Sequence, residues 1–198
     1  MPAYVMITSD VHDPDRLNAE YGPAAQRALV AQGGRVLAVG SRQISPEGGI
    51  LRARNLLLEL PDLDAARRWY SDPDYQAVHH VRDETSTTSA VAVAGLDAVS
   101  TLGGAFAVGT LELLDPVRFR DEYLPPTLAT IVAHGGRMLV AGGDSISLCG
   151  NDFLERNVVF EFADLDTAQA WYDDPDYTPL IGLRQAITMG DLVLISGD

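Results

Sequence analysis

The chain has 198 residues, and its 28 acidic residues against 14 basic ones give a net charge of −14 at pH 7. This acidic balance argues against binding to nucleic acid or to anionic membranes, because both require basic patches. Every basic residue is an arginine. The absence of lysine excludes Schiff-base catalysis by lysine, pyridoxal phosphate attached through lysine and a Walker-type phosphate loop.

The N-terminal sequence favours a cytoplasmic protein. The sequence goes from Met1 directly into a strand-like run, without the basic start and apolar core of a signal peptide. It contains no apolar run of 18 residues, so we predict no transmembrane helix. Cys149 is the single cysteine, which excludes an intramolecular disulfide and predicts a free thiol in a loop.

A repeat with an offset of 102 residues runs through the sequence. The segment WYSDPDY at 69–75 returns as WYDDPDY at 171–177, and Gly-Gly-Arg at 33–35 returns at 135–137. The two copies align without a gap. We therefore predict a tandem duplication, with repeats at 1–96 and 105–198 and a linker at 97–104.

Each repeat has the pattern strand, helix, strand, strand, helix, strand. In the first repeat, we predict a strand at Ala3–Asp10, followed by a helix that Asp13 caps, that is interrupted near Pro23 and that ends at Gly33-Gly34. A strand at Arg35–Ile44, a variable loop at Ser45–Ala53 and a strand at Arg54–Leu60 come next. The repeat then continues with a helix from Asp62 or Asp64, a short helix from Asp72 to about Arg82, and a strand from about Ser89 to Ala94. This order predicts an α+β fold of two ferredoxin-like (βαββαβ) repeats, each an antiparallel sheet with helices on one face. The two bare sheet faces would then pack against each other.

The motifs together resemble a known family. Asp-Pro at 13–14, Glu-Tyr at 20–21, Gly-Gly-Arg and Trp-Tyr-x-x-Pro-x-Tyr, with their twins, resemble domain-of-unknown-function family 1330 over nearly all of both repeats. That family is similar to the dimeric α/β-barrel superfamily, whose members usually pair two chains. The resemblance therefore implies that this chain forms a pseudo-dimeric barrel by itself.

The resemblance implies no settled activity. Related branches of the superfamily include cofactor-free monooxygenases, lactone isomerases, polyketide cyclases and haem-handling enzymes. Glu47-Gly48 matches the family's loop pattern, whereas the twin has Cys149-Gly150. A functional glutamate at this position would be kept by the first repeat alone.

Two polar positions recur on one face of equivalent strands. Asn55 and Glu59, like Asn157 and Glu161, lie opposite the apolar face that the helices would cover. We expect them to point between the sheets, where a carboxylate must be paired or have a raised pKa. Either the glutamates act as general bases beside a cavity, or they form salt bridges with Arg54, Arg82 or their twins.

Other candidates come from differences between the repeats. His79 and His80 have no twins, which suits a site used once per chain, although surface histidines are common. No histidine pair has metal-ligand spacing, so we predict no metal site. The substrate-binding candidates are Tyr4, Tyr21, Asn55, Arg82, Tyr123, Asn157 and Arg184, and the catalytic ones are Glu59, His79, His80 and Glu161. Trp69, Tyr70 and their twins are expected to pack in the core.

The function predicted from the sequence is a cofactor-independent enzyme of the isomerase, cyclase or oxygenase type. It would act on a small apolar or aromatic organic molecule held between the two sheets, with secondary metabolism as one setting. The alternatives are a non-catalytic small-molecule binding protein and a structural module without a site. The sequence leaves open whether two such chains also form a homodimer, in addition to the internal pairing of the repeats.

Overall fold

The computed structural model describes residues 1–47, 49, 51–97 and 99–197, which form two successive repeats. The elements of the first repeat are β1 (Ala3–Val11), α1 (Pro14–Arg16), a π-helical turn (Leu17–Tyr21), α2 (Gly22–Ala31), β2 (Arg35–Ala38), β3 (Gln43–Glu47), β4 (Arg54–Leu60), α3 (Leu63–Tyr70), α4 (Pro73–Ala77), α5 (His79–Thr85) and β5 (Ser86–Ala94). Those of the second are β6 (Ala105–Leu113), α6 (Pro116–Arg118), a second π-helical turn (Phe119–Tyr123), α7 (Leu124–Ala133), β7 (Arg137–Ala141), β8 (Ser145–Cys149), β9 (Arg156–Phe162), α8 (Leu165–Tyr172), α9 (Thr178–Ile187) and β10 (Thr188–Ser196).

Local sequence signals fix most of these bounds. The Asp13 side chain accepts a hydrogen bond from the Arg16 amide at 3.1 Å, with proline at the first helical position. The predicted interruption near Pro23 is present as the π-helical turn, after which α2 restarts the helix at Gly22. Gly33 follows α2 with φ of +72°, a conformation that favours glycine.

The two sheets exchange a strand, which the sequence analysis did not predict. Their strand orders are β2-β4-β1-β5-β8 and β7-β9-β6-β10-β3, so each repeat extends the sheet of the other. Antiparallel pairing joins Gln43 of β3 to Ile195 of β10, and Ser145 of β8 to Val93 of β5. The repeats are therefore interlocked by hydrogen bonds as well as packed face to face.

This exchange corrects three predictions. Residues 35–44 form two strands instead of one, and the predicted loop at 45–53, like its twin segment at 147–155, begins with strand residues. Pro46 lies in β3, which is an edge strand, where a missing amide hydrogen is tolerated. Cys149 consequently ends strand β8 as a free thiol and does not lie in a loop. Gly48, the partner of Glu47 in the family pattern, lies outside the described residues.

The apolar side chains form three layers. Leu57 of β4 lies between the sheets in a cluster with Tyr4, Met6, Phe106 and Val159. Leu58, on the opposite face of β4, packs under the helices with Leu29, Leu60 and Trp69. The prediction of two ferredoxin-like sheets that face each other is therefore confirmed. No helix within the described residues is long and apolar enough to cross a membrane.

Candidate functional site

Glu59 and Glu161 lie at the end of the barrel that the linker crosses. Glu59 accepts hydrogen bonds from the Arg35 Nε at 2.6 Å, the Ser100 amide at 2.9 Å and the Tyr4 hydroxyl at 3.1 Å. Ser100 also donates its hydroxyl hydrogen bond to Glu161. One linker residue thus joins the two carboxylates.

Glu161 is fully buried, and five donors surround it. Besides Ser100, its oxygens accept from the Arg137 Nε at 2.7 Å and from the amides of Gly103 at 2.9 Å, Leu102 at 3.0 Å and Thr101 at 3.4 Å. Burial alone would raise the pKa of the Glu161 carboxyl, but the hydrogen bonds from Ser100, Gly103 and Arg137 outweigh it and hold the pKa below its ordinary value. An ionised, saturated carboxylate of this kind fastens the linker.

The salt-bridge alternative had named the wrong arginines. Arg35 and Arg137, from the repeated Gly-Gly-Arg, hold Glu59 and Glu161 in place of Arg54, Arg82 or their twins. They lie opposite the glutamates in the register of β2 with β4 and of β7 with β9. Glu59 borders a recess beside the linker, which Met1, Asp97 and Val99 also line, and not a cavity between the sheets.

Asn55, Asn157 and His80 lie away from these glutamates. The Asn55 amide donates to the Arg52 carbonyl oxygen at 3.0 Å, and the Asn157 amide donates to that of Leu154 at 3.2 Å. Both asparagines therefore secure the segment that enters their strand. His80 is exposed on α5. The role of these residues in substrate binding or catalysis stays a prediction.

A cavity of about 200 Å³ lies between the helices and the sheet of the first repeat. It extends across β2, β4, β1 and β5 beneath the π-helical turn and the start of α2. Its lining residues are Ile7, Ser9, Leu17, Asn18, Tyr21, Gly22, Ala25, Gln26, Leu29, Val36, Val39, Arg54, Leu56, Leu58, Trp69, Arg82 and Thr88. The space between the sheets, where the substrate was predicted, holds instead the apolar cluster that contains Leu57.

The corresponding cavity of the second repeat has only about 20 Å³. Larger side chains at five twin positions narrow the second cavity, whereas the twins of Ile7 and Leu56, Gly109 and Val158, are smaller. The twins of Leu17, Gly22, Ala25, Val36 and Leu58 are, in that order, Phe119, Leu124, Thr127, Met138 and Phe160, and all five line the second cavity. The duplication therefore keeps one open pocket and one closed counterpart.

A pair of tyrosines connects the open pocket to the core. Tyr21 lines the pocket, and its hydroxyl is hydrogen-bonded to that of Tyr75, whose ring stacks on Trp69 at 5.0 Å between centroids. Burial raises the pKa of both phenols, so they are neutral donors near neutral pH. The predicted catalytic residue His79 packs edge-on against Tyr75 at 4.4 Å, and burial lowers its pKa.

The exchanged strands place different side chains beside Arg82 and Arg184. Glu47 of β3 accepts hydrogen bonds from Arg184 and from the Tyr172 hydroxyl, the latter at 2.8 Å. The first repeat was predicted to keep this glutamate for itself, and the strand exchange instead delivers it to the second repeat. Its twin, Cys149, lies near Arg82 in the first repeat. Arg82 instead pairs with Asp83, at 2.8 Å.

The model of the family described as Domain of unknown function (DUF1330) matches residues 2–96 and again 104–198. The chain belongs to this family. No sequence among the curated proteins matches it.

Solved structures share the fold of this DUF1330 protein at low sequence identity. A proposed monooxygenase from Lactobacillus acidophilus is 11% identical, with a TM-score of 0.52 over 99% of this chain and 93% of that one. A mutant chlorite dismutase from Candidatus Nitrospira defluvii, solved in complex with cyanide, is 10% identical, with a TM-score of 0.53 over 100% of this chain and 90% of that one. At this level of identity, these likenesses show the fold of the DUF1330 chain alone.

The structure brings together Tyr21 and Arg82 in one pocket, and Tyr123 and Arg184 in its closed counterpart. It separates both groups from Tyr4, which is buried between the sheets. Sequence reasoning missed Tyr75 as the partner of Tyr21. Sequence reasoning also missed the pocket itself. The signal that could have revealed it is the difference in side-chain size between twin positions, such as Gly22 and Leu124, because larger residues close the cavity in one repeat only.

Proposed function

We propose that this protein binds a small, mainly apolar or aromatic organic molecule in the first-repeat pocket and acts on it as a cofactor-independent enzyme of the isomerase, cyclase or oxygenase type. The observation that carries the proposal is the open pocket beside a closed, otherwise equivalent one. An apolar cavity of about 150 Å³ binds benzene, so about 200 Å³ suits a molecule with one ring and a few substituents.

The polar groups of the pocket suit the stabilisation of negative charge on a substrate oxygen. When Tyr75 donates the hydrogen bond that joins the two phenols, the hydroxyl hydrogen of Tyr21, which lines the pocket, is available to a ligand. The Arg82 guanidinium adds a fixed positive charge at the same wall. Donors positioned in this way stabilise a developing enolate or phenolate, and removal of one such donor typically slows a reaction by about 10²–10³.

A second candidate function is binding or carriage without turnover. No aspartate, glutamate or histidine is among the described residues that line the pocket, so Tyr21 can supply a proton there but a general base would have to come from the substrate or from water. The cytoplasmic location and a further homodimer stay predictions.

The proposal is tested by replacing Gly22, which lines the open pocket, with leucine, the residue at the twin position 124 in the closed one. A Cβ at Gly22 would meet its nearest atom, the Leu17 carbonyl oxygen, at 3.9 Å, so Gly22→Leu places a side chain in open space without a clash. Gly182→Leu is the matched control, because Gly182 lies exposed on α9 with nothing within 4 Å of its Cβ. Both changes are compatible with a helix, where leucine is favoured by somewhat less than about 1 kcal/mol over glycine.

The assay is a titration with phenol followed by amide chemical shifts in NMR. We expect shifts at Tyr21, Trp69 and Arg82, a loss of at least about ten-fold in affinity in Gly22→Leu, and unchanged binding in Gly182→Leu. Phenol binding to Gly22→Leu as tightly as to the wild type would overturn the proposal. Compounds that bind are then incubated with wild type and Tyr21→Phe, and product formation without loss of rate in Tyr21→Phe would remove the role of the phenol. Binding with no turnover of any compound would favour the carrier function.

A further inference from the structure

We infer that the ligand of the first-repeat pocket is an organic anion, of the carboxylate or phenolate class, for which Arg82 is the counter-ion. The inference rests on the proposed function and specifies its ligand. It is carried by three observations: Arg82 has a more exposed counter-ion than its twin, the Trp69 indole lacks the acceptor that its twin has, and the charged side chains among the described residues that line the pocket are arginines.

The first group is Arg82, which differs from its twin in its counter-ion. Arg184 has a buried one, because the side chains of Arg184 and Glu47 are 4% and 11% exposed. At the position of Glu47 the first repeat has Cys149, and the partner of Arg82 is Asp83, whose side chain is 64% exposed. A hydrated carboxylate interacts weakly with its partner, so the buried guanidinium can take a second acceptor from a ligand.

The second group is the indole of Trp69. In the second repeat, the Trp171 Nε1 donates to the Thr130 hydroxyl at 3.1 Å. The twin of Thr130 is Ala28, and the Trp69 Nε1 is buried without an acceptor among the described residues. Trp69 itself lines the pocket, and we assign a ligand oxygen as the acceptor that its indole lacks in the described part of the chain.

The third observation is the charge of the lining. Arg54 and Arg82 are the only charged side chains among the described residues that line the pocket, although the chain as a whole carries a net charge of −14. Such a local excess of positive charge within an acidic protein attracts an anion and rejects a cation. Together the three observations assign an anionic ligand with at least one acceptor oxygen near Trp69 or Arg82.

Benzoate and benzamide test the inference, because they have the same size and shape and differ in charge. We expect wild-type protein to bind benzoate at least about ten-fold more tightly than benzamide by calorimetry near neutral pH, since hydrogen bonds to charged groups are the stronger ones. Cys149→Glu supplies the counter-ion of the second repeat and is expected to abolish the preference while benzamide affinity stays within about two-fold.

Two further variants do not depend on the folding of Cys149→Glu. Asp83→Gln introduces the residue of the second repeat at an exposed site and removes a competing carboxylate, so benzoate affinity should rise by up to about five-fold. Ala28→Thr supplies an acceptor to the Trp69 indole and should lower the affinity for benzoate. The matched change Thr130→Ala in the second repeat should leave the affinity for benzoate unchanged.

The outcomes separate the two proposals. Equal binding of benzoate and benzamide to wild type, or a benzoate preference that survives in folded Cys149→Glu, would overturn the anion inference and leave the pocket function standing. An Asp83→Gln variant that binds benzoate more weakly would also contradict it. Binding of neither probe would remove the proposed function, and the inference with it.

Discussion

Glu161→Gln is expected to destabilise the fold because the carboxylate fastens the linker to the second repeat. The glutamine oxygen can still accept from Ser100, Leu102 and Gly103, but its amide group faces the Arg137 Nε, which lies 2.7 Å from the lost oxygen. Loss of a partner from a buried ion pair costs about 3–5 kcal/mol. The Arg137 side chain is 35% exposed and can regain water, so we expect a value near the lower end, about 3 kcal/mol.

Glu59→Gln is the matched control for this change. Glu59 accepts hydrogen bonds from three donors, and its partner Arg35 has a side chain that is 54% exposed. Glu59→Gln should therefore lower the free energy of unfolding by less, about 1–2 kcal/mol. Urea unfolding followed by the fluorescence of Trp69 and Trp171 measures both variants, and calorimetry should show a melting temperature lower by about 6–12 °C for Glu161→Gln. Wild-type stability in Glu161→Gln would refute this account. If turnover were lost at unchanged stability in either variant, the sequence-based prediction of a catalytic glutamate would be favoured.

Two further predictions concern pH and the interlocked repeats. Because the pKa of Glu161 is lowered in the folded protein, its contribution to stability is present above the unfolded pKa near 4.5 and is lost as the pH falls through the folded value. The free energy of unfolding should therefore fall more steeply below about pH 4.5 in wild type than in Glu161→Gln, and parallel pH curves in urea titrations would contradict this. Residues 1–96 expressed alone lack β8 and expose the face around Leu57, so we expect self-association in light scattering, whereas a stable, monomeric fragment would count against the interlocked arrangement.

Local patterns predicted the parts of the fold that depend on local physics. The alternation in residues 54–60 and 156–162 placed the bounds of β4 and β9 as observed, since one face of each strand is apolar under the helices. Asp62 caps α3 through the Ala65 amide at 2.7 Å, as its position before an apolar run indicated. Signals of this kind need only neighbouring residues.

Pairings between distant residues were less predictable. The short strand that contains Pro46 and Glu47 carries no signal for pairing with β10, which lies nearly 150 residues later in the sequence. For the same reason, the sequence could show that Glu47 and Cys149 differ without showing which repeat each one serves. Glu59 was expected on an interior face, and its linker contacts depend on Ser100, which belongs to no repeated motif.

The fusion of the repeats explains how one pocket can be open while the other is closed. In a symmetric dimer of identical chains, each substitution appears at both equivalent sites, so a residue that fills one cavity also fills the other. In this chain, Leu124 and Phe160 close the second cavity while Gly22 and Leu58 keep the first one open. The strand exchange extends this freedom to charge, because each repeat supplies the residue beside the arginine of the other. The second pocket could thus become a packed core with an internal ion pair, while the first retained an arginine available to a ligand.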